Sequence, residues 1–228
     1  LLSQELFMNN SYELLLALKQ AGHLKNKQDP LWWPRARTFW VIVGAILTQQ
    51  AKWEKVELSL ANLESSGIDS LEKLAQCELE NLAQWIKPSG FYNTKAKYLK
   101  TLAKAIINEF GNFENFCGLV TREWLLAQKG LAMESADAIL CYACGCEAMV
   151  VDAYSARLLA AFGYEFDSYE ALQEWMCEGI LTHWQAVQKT YDYAISLHEV
   201  YARLHGKILE FCKENSEGKR VKIERLGI

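Results

Sequence analysis

Short segments of this chain carry residue types whose spacing could do chemistry. Leu125-Leu126-Ala127-Gln128-Lys129-Gly130-Leu131-Ala132-Met133-Glu134-Ser135-Ala136-Asp137 reads as a helix, a tight glycine-containing turn, and a second helix with Ser135 in its first turn. Such a hairpin presents unpaired backbone N–H groups at a helix N-terminus, where a phosphate oxygen is favoured. Val150-Val151-Asp152-Ala153-Tyr154-Ser155 places a carboxylate between an apolar run and the start of the next helix, which is also a good N-cap position. Gly44 to Trp53 is a helix ending in the paired Gln49 and Gln50. Lys207 is the one lysine between Leu204 and Leu209, where a lysine either snorkels to the surface or is held for a reason.

The cysteines are Cys77, Cys117, Cys141, Cys144, Cys146, Cys177 and Cys212, an odd count without a disulfide-scaffold rhythm. Cys141-Tyr142-Ala143-Cys144 is a CxxC, which can be a redox pair or half of a zinc site. A zinc site wants four ligands, and no second CxxC or HxxxH follows. The cluster also continues the apolar helical pattern of Ala136, Ile139, Leu140 and Ala143, so small apolar thiols in a core helix are the expected reading. His183, His198 and His205 have no metal-ligand spacing and are read as solvated or packed. No metal site is expected.

The elements that must position these residues are helices. Apolar spacing of three and four runs through Tyr12 to Ala21, Thr38 to Leu47, Trp53 to Ser65, Ser70 to Gln76, Glu78 to Ile86 and Lys95 to Phe110. It resumes over Arg122 to Lys129, Ser135 to Cys144, Ser155 to Phe162, Ser168 to Gly179 and Trp184 to Lys213. Gly or Pro punctuates the gaps, Ser70 and Thr121 are placed to cap helix starts, and alternating strand patterns are absent. The tail, Glu214 to Arg225, is polar and expected to fray. The fold class is all-α, with about ten short helices.

Composition bounds the function. The 228 residues are 51% hydrophobic and 23% charged, as in ordinary globular proteins and unlike disordered ones. No apolar run approaches the ~18 residues of a membrane helix, and LLSQELFMNN has no signal-peptide features, so a cytoplasmic location with reduced thiols and no membrane partner is expected. With 24 Lys+Arg against 28 Asp+Glu, the net charge of −4 argues on its face against nucleic acid, although net charge averages over surfaces of different sign.

Taken jointly, these segments resemble the helix-hairpin-helix DNA glycosylases of the endonuclease III superfamily. The hairpin is similar to that family's L-x-G-h-G-x-x-[ST]-A-[DN] element, and Val151 to Leu158 to its V-D-x-x-[SV]-x-R-[LV] segment. Ser89 to Ala103, SGFYNTKAKYLKTLA, resembles its G-[FY]-Y-x-x-K-A segment. Trp32-Trp33-Pro34, Leu47-Thr48-Gln49-Gln50 and the HGKILEF segment suggest the branch of small bacterial 3-methyladenine DNA glycosylases. The resemblance implies a two-lobed fold: a six-helix barrel over 34–147, with 1–33 and 148–228 forming a second helical lobe that carries the catalytic acid. The cleft between the lobes is then expected to hold the active site, with Asp152 at its mouth.

The activity implied is base excision: a target nucleotide is flipped from double-stranded DNA, and its N-glycosidic bond is broken through an oxocarbenium-like transition state. Asp152 is implied as the catalytic carboxylate. Trp32, Trp33 and Trp53 are candidate walls of a base pocket that prefers a flat cation, such as an alkylated purine, with Lys207 at its edge. Gln50, with Gln49 beside it, is implied to fill the gap left by the flipped nucleotide. Lys129, Gly130, Leu131, Ala132 and Ser135 would contact the DNA backbone.

Departures from the family pattern refine this expectation. Bifunctional members carry a Schiff-base lysine where this chain has Glu134, and a carboxylate cannot form an imine, so hydrolysis without lyase activity is expected. After Asp152 only Cys177 and Cys212 remain, so the four closely spaced ligands of an iron–sulfur cluster are missing and no cofactor is expected. Ala132 replaces the second hairpin glycine, a strained choice if that position needs positive φ. Lys95, Lys97, Lys100 and Lys104 share one helix, with Arg35, Arg37 and Lys129 on turns nearby in the implied fold, as a local basic surface. The acidic balance still predicts a modest salt dependence of binding.

The leading reading is a monomeric, monofunctional glycosylase acting on alkylated purines, chiefly 3-methyladenine. The same chemistry on a mismatched or oxidised pyrimidine, a non-catalytic helical DNA-binding protein, and a redox or metal protein organised on Cys141, Cys144 and Cys146 stay open at this point.

Overall fold

The computed structural model describes residues 7–24 and 31–227. The expected lobe segment 1–33 therefore lies partly outside the described residues. In chain order the α-helices are α1 (Ser11–Gln20), α2 (Trp40–Leu47), α3 (Trp53–Ser65), α4 (Leu71–Gln76), α5 (Leu79–Trp85), α6 (Tyr92–Phe110) and α7 (Phe113–Leu119). They continue as α8 (Arg122–Leu126), α9 (Met133–Ala138), α10 (Ala153–Ala161), α11 (Tyr169–Thr182), α12 (Trp184–Lys189) and α13 (Leu197–Glu214). Helix α9 runs on as a π-helical segment, Ile139–Cys144. Among the described residues the chain is all-α but for a two-stranded antiparallel ladder, Ser216–Glu217 with Arg220–Val221. No helix among the described residues is long and apolar enough to cross a membrane.

The chain divides into two compact units, one of residues 34–146, the other of the residues up to Trp33 together with those from Glu147 onward. In the first, every residue of the apolar α2, WVIVGAIL, is buried, and α3, α6, α9 and the π segment pack around it. A helix apolar on all sides is stable only when surrounded in this way. Helix α6 shows the opposite pattern. Ala96, Leu99, Leu102, Ala103 and Ile106 make one buried face against α4 and α5, while Lys97 and Lys104 stay exposed. Each fully buried leucine or isoleucine contributes roughly 1.5–3 kcal/mol.

In the second unit α13 is the central element, packed by α1 and α10. Leu204, Ile208 and Phe211 of α13 meet Leu14, Leu15 and Leu18 of α1 and Met176 and Ile180 of α11 in one core.

Local chemistry explains where the periodicity was misleading. The pattern from Trp184 to Lys213 predicts one helix, yet α12 stops at Lys189 and α13 begins at Leu197. Ser196 and Glu199 form a capping box: the Ser196 hydroxyl accepts from the Glu199 N–H while the Glu199 carboxylate accepts from the Ser196 N–H. That reciprocal bonding starts a helix there despite continuous apolar spacing. Helix α7, missed in the periodicity, is seven residues long and capped by Asn112. The tail does not fray: it turns at Gly218, buries Val221 and closes on a 3-10 turn that buries Leu226. Two apolar anchors on a short hairpin hold a segment whose composition is otherwise polar.

Candidate active site

Met149, Val150 and Val151 are fully buried, and Gln173 Nε2 donates to the Met149 carbonyl at 2.6 Å. This anchored stretch delivers Asp152 to the N-cap of α10. Its Oδ1 accepts from the backbone N–H groups of Tyr154 (2.9 Å) and Ser155 (2.8 Å) and from the Ser155 hydroxyl (3.1 Å). Its Oδ2 lies 3.7 Å from His205 Nε2. Burial alone would raise the carboxyl's pKa, but the His205 ring, by hydrogen bond and charge, and the Ser155 donors outweigh it and hold Asp152 below its ordinary value. Asp152 is thus a largely buried carboxylate that stays ionised, one oxygen spent on the cap and the other turned toward a histidine.

His205 begins a run in which three successive residues of α13 each do a separate job. The His205 ring faces Asp152 and meets the edge of Trp32, centroids 5.4 Å apart. Gly206 makes room for that tryptophan: a Cβ there would lie 2.4 Å from Trp32 Cγ. Lys207, 1% exposed, donates from Nζ to the carbonyls of His23 and Leu24, the latter at 2.6 Å. It does not snorkel. Burial, with Arg203 and Lys19 adding positive charge, lowers its pKa to about 7. Arg203, also fully buried, donates to the same Leu24 carbonyl at 2.8 Å. Trp33 meets Trp32 edge-on at 6.2 Å. Asp152, Trp32, Trp33 and Lys207 therefore come together in one unit, linked through His205 and Gly206, neither of which the sequence reading selected.

The hairpin lies in the other unit. Arg122 of α8 and Asp137 of α9 form a bidentate ion pair (Nε–Oδ1 2.7 Å, Nη2–Oδ2 3.1 Å) that fixes the two hairpin helices to each other. The turn between them carries Lys129, exposed, and Gly130, with φ of +92°. A Cβ at Gly130 would lie 2.2 Å from the Tyr98 ring, so this position requires glycine on two counts. Leu131 follows, half-buried, its N–H donating to the Gln128 carbonyl. Ala132 is extended, with φ of −119°, so the strain expected for alanine at this position does not arise.

Gln49 reaches this turn from the end of α2. Its Nε2 donates to the Gly130 carbonyl (2.9 Å) and to the buried Ser135 hydroxyl (3.1 Å). Gln49 and Ser135 thus serve each other, and the adjacent Gln50, at a φ of +53°, is the exposed member of the glutamine pair. Half-buried Trp53 opens α3 three residues on.

The expected basic surface is reduced. Lys95 is buried and donates to the carbonyls of Leu47 and Ser89, each at 2.8 Å. Lys100 donates to the Cys77 carbonyl, Arg35 pairs with Glu64 at 2.8 Å, and Arg37 donates to the Cys144 carbonyl at 3.0 Å. Lys97, Lys104 and Lys129 are exposed, and so are Arg35 and Arg37 despite these bonds. Lys95, on a helix that packs against α2, satisfies α2's last carbonyl and that of Ser89 instead of facing solvent.

Residues 43–190 match the model of the HhH-GPD superfamily base excision DNA repair proteins. The chain belongs to this family. It is accordingly a base excision repair DNA glycosylase whose partner is DNA. Among similar proteins, an inferred DNA repair glycosylase of Methanocaldococcus jannaschii is 34% identical over 190 residues, 80% of each chain. The solved structure of the Helicobacter pylori 3-methyladenine DNA glycosylase MagIII, bound to 1,N6-ethenoadenine, superposes with a TM-score of 0.88 at 47% identity. That match covers 91% of this chain and 99% of the other. A trapped endonuclease III–DNA covalent intermediate shares the fold at 17% identity, with a TM-score of 0.69 over 95% and 92% of the two chains. Within this HhH-GPD protein no cluster of three or more metal-ligating side chains occurs among the described residues.

Proposed function

We propose that this HhH-GPD glycosylase is monofunctional and hydrolyses the N-glycosidic bond of alkylated purines, chiefly 3-methyladenine, in double-stranded DNA. The observation that carries the reading is the near full-length likeness, at 47% identity, to a 3-methyladenine glycosylase.

The chemistry suits the residues. A purine alkylated at N3 or N7 already carries positive charge and leaves readily, so the enzyme need do little acid catalysis on the base. What remains is to stabilise the sugar cation and supply water. An ionised carboxylate does the first by charge and can orient or deprotonate a water for the second. Asp152 is assigned this role through Oδ2, since Oδ1 is occupied by the α10 cap. The pocket for a flat cationic base is assigned to Trp32 and Trp33, with Lys207 at its edge, where aromatic faces contribute roughly 0.5–2 kcal/mol by cation–π attraction. Lys207, with its lowered pKa, is a nucleophile to weigh for a lyase route. Its Nζ is buried and bound to two carbonyls, and Glu134 cannot form an imine. Gln50 is assigned to the gap left by the flipped nucleotide, because an amide both donates to and accepts from an orphaned base. The hairpin from Lys129 to Ser135 is assigned to the DNA backbone.

The test is incubation of the protein with duplexes carrying methylated purines, uracil or oxidised pyrimidines, scoring base release before and after alkali. Release from methylated DNA alone, with strand breaks only after alkali, is expected. Release of an oxidised pyrimidine in preference would replace the substrate, and breaks without alkali would overturn the monofunctional reading.

A further inference from the structure

His205 is a buried histidine that neither caps α10 nor belongs to the assigned base pocket, yet its ring meets both. Its side chain is 4% exposed and that of Asp152 10%, with Nε2 of the one 3.7 Å from Oδ2 of the other. The same ring meets Trp32 at 5.4 Å between centroids, the two planes at 82°. Trp32 is held there by a strained turn. Its φ is +63°, a left-handed backbone that a bulky residue keeps only where its surroundings impose it, and the Trp33 N–H donates across it to the Leu31 carbonyl at 2.7 Å. Gly206 leaves the space that the indole fills. A forced turn on one side and a missing side chain on the other thus set Trp32 against His205.

Helix geometry decides which basic residue Asp152 faces. Arg203 and Lys207, four residues apart on α13, share a face and both donate to the Leu24 carbonyl. His205 is two residues from each and points to the other side, toward α10, which packs on α13. The carboxylate therefore meets an imidazole and not a lysine or a guanidinium. A lysine or arginine would close a full ion pair on Oδ2 and compete with a sugar cation for its charge. An imidazole N–H can hold the oxygen with or without a charge of its own.

We propose that His205 is a positioning residue of the excision site: Nε2 aims Asp152 Oδ2 while the ring steadies Trp32, so that carboxylate and pocket wall keep one spacing. The inference rests on the assignment of Asp152 to the reaction. Other titratable neighbours of Asp152 are placed differently. Cys212 of α13 lies near it, but burial, then the Asp152 charge, push that thiol up to about 12, so it stays neutral. Arg157 of α10 is turned back on its own helix, donating from Nε to the Ala153 carbonyl at 3.0 Å and lying 4.4 Å from the Tyr154 ring centroid. The Arg220–Val221 strand also packs on α10, with Val221 buried and Arg220 exposed. Removing the imidazole should therefore let the Asp152 carboxyl take up its proton at higher pH.

The test is single-turnover excision from methylated duplex across pH by the full chain, with affinity for that duplex measured alongside. His205→Phe keeps a ring against Trp32 and removes the nitrogen, whereas His205→Gln keeps an amide donor near the place of Nε2. In His205→Phe the excision rate should fall about 10–100-fold, as for a misplaced reacting group, with affinity unchanged. The pH below which the rate declines should rise by about one unit, as the carboxyl loses the group that favours its charge. His205→Gln should recover most of the rate. The imidazole 15N resonances of His205 read the contact with the ring in place, and should move in Asp152→Asn. Equal loss in both His205 variants with the acid limb unmoved, an unchanged rate in His205→Phe, or resonances that stay put in Asp152→Asn would overturn the proposal. An Asp152→Asn protein that excises as fast as wild type would overturn it differently, by removing the reading on which it rests.

Discussion

His205 Nε2 stands 3.7 Å from Asp152 Oδ2, joining the middle of α13 to the first residue before α10. The other carboxylate oxygen accepts from three donors of the α10 cap. Capping and charge presentation are thus divided between the two oxygens of one side chain. The residue is an N-cap through Oδ1, and the cap fixes the rotamer that turns Oδ2 toward His205.

Asp152→Asn separates the two jobs. Asparagine caps a helix about as well as aspartate, so unfolding free energy should change by no more than about 1 kcal/mol. Base release should fall roughly 10²–10⁴-fold, the range for loss of a positioned acid–base or electrostatic group. Urea titration and single-turnover excision on methylated duplex check both. Full activity, or a collapse in stability equal to the loss in rate, would sink the assignment.

Gly206→Ala should destabilise by about 1–3 kcal/mol, the range for overpacking, despite the better helix propensity of alanine. The added methyl meets the Trp32 ring, so tryptophan fluorescence should shift with it. Alanine is normally the better residue within a helix, and a stabilised variant would mean that Trp32 does not lie against α13.

Gln49→Ala removes donors to the Gly130 carbonyl and the Ser135 hydroxyl. A stability loss of about 1–3 kcal/mol is expected, with the buried Ser135 hydroxyl left short of a partner. If the hairpin grips DNA as proposed, the affinity for undamaged duplex should drop in parallel, as read by fluorescence anisotropy. Loss of affinity with stability unchanged would instead place Gln49 itself on the DNA.

Lys207 gives a pH signature with a defined sign. Its ordinary pKa of 10.5 is lowered to about 7 in the fold, so between those values the unfolded chain holds a proton that the folded one has released. Stability from this group therefore rises with pH across that window, by at most about 1.4 kcal/mol per pH unit. Lys19, lowered to about 8 by burial and Arg203, adds in the same direction. The difference in slope between wild type and Lys207→Met isolates Lys207. Identical slopes would show that its ammonium keeps an ordinary pKa.

Local rules made much of this molecule legible in its sequence. Helical period located most elements, Ser70 and Thr121 cap α4 and α8 as their side chains indicate, and the hairpin was visible as a glycine turn between apolar helices. What escaped was pairing across the chain. Nothing in the order of residues says that Gln49 will bond to Gly130, 81 positions away, or that His205 will face Asp152. Lys95 was counted as surface charge because composition records a cation but not the carbonyls that absorb it. The capping box at Ser196 was local and readable, but a continuous apolar pattern masked it.

The tie from Arg203 to the Leu24 carbonyl spans 179 residues, with the whole unit of 34–146 between its two ends. On a ribosome adding about 5–20 residues per second, roughly 10–35 s separate the synthesis of the two partners. All of 34–146 is made in that interval and can fold as a continuous stretch. Leu14, Leu15 and Leu18 must meanwhile wait for α13 to bury them. Translation therefore orders the assembly: the hairpin unit precedes the unit carrying Asp152, and α1 is made well before the helix that buries it.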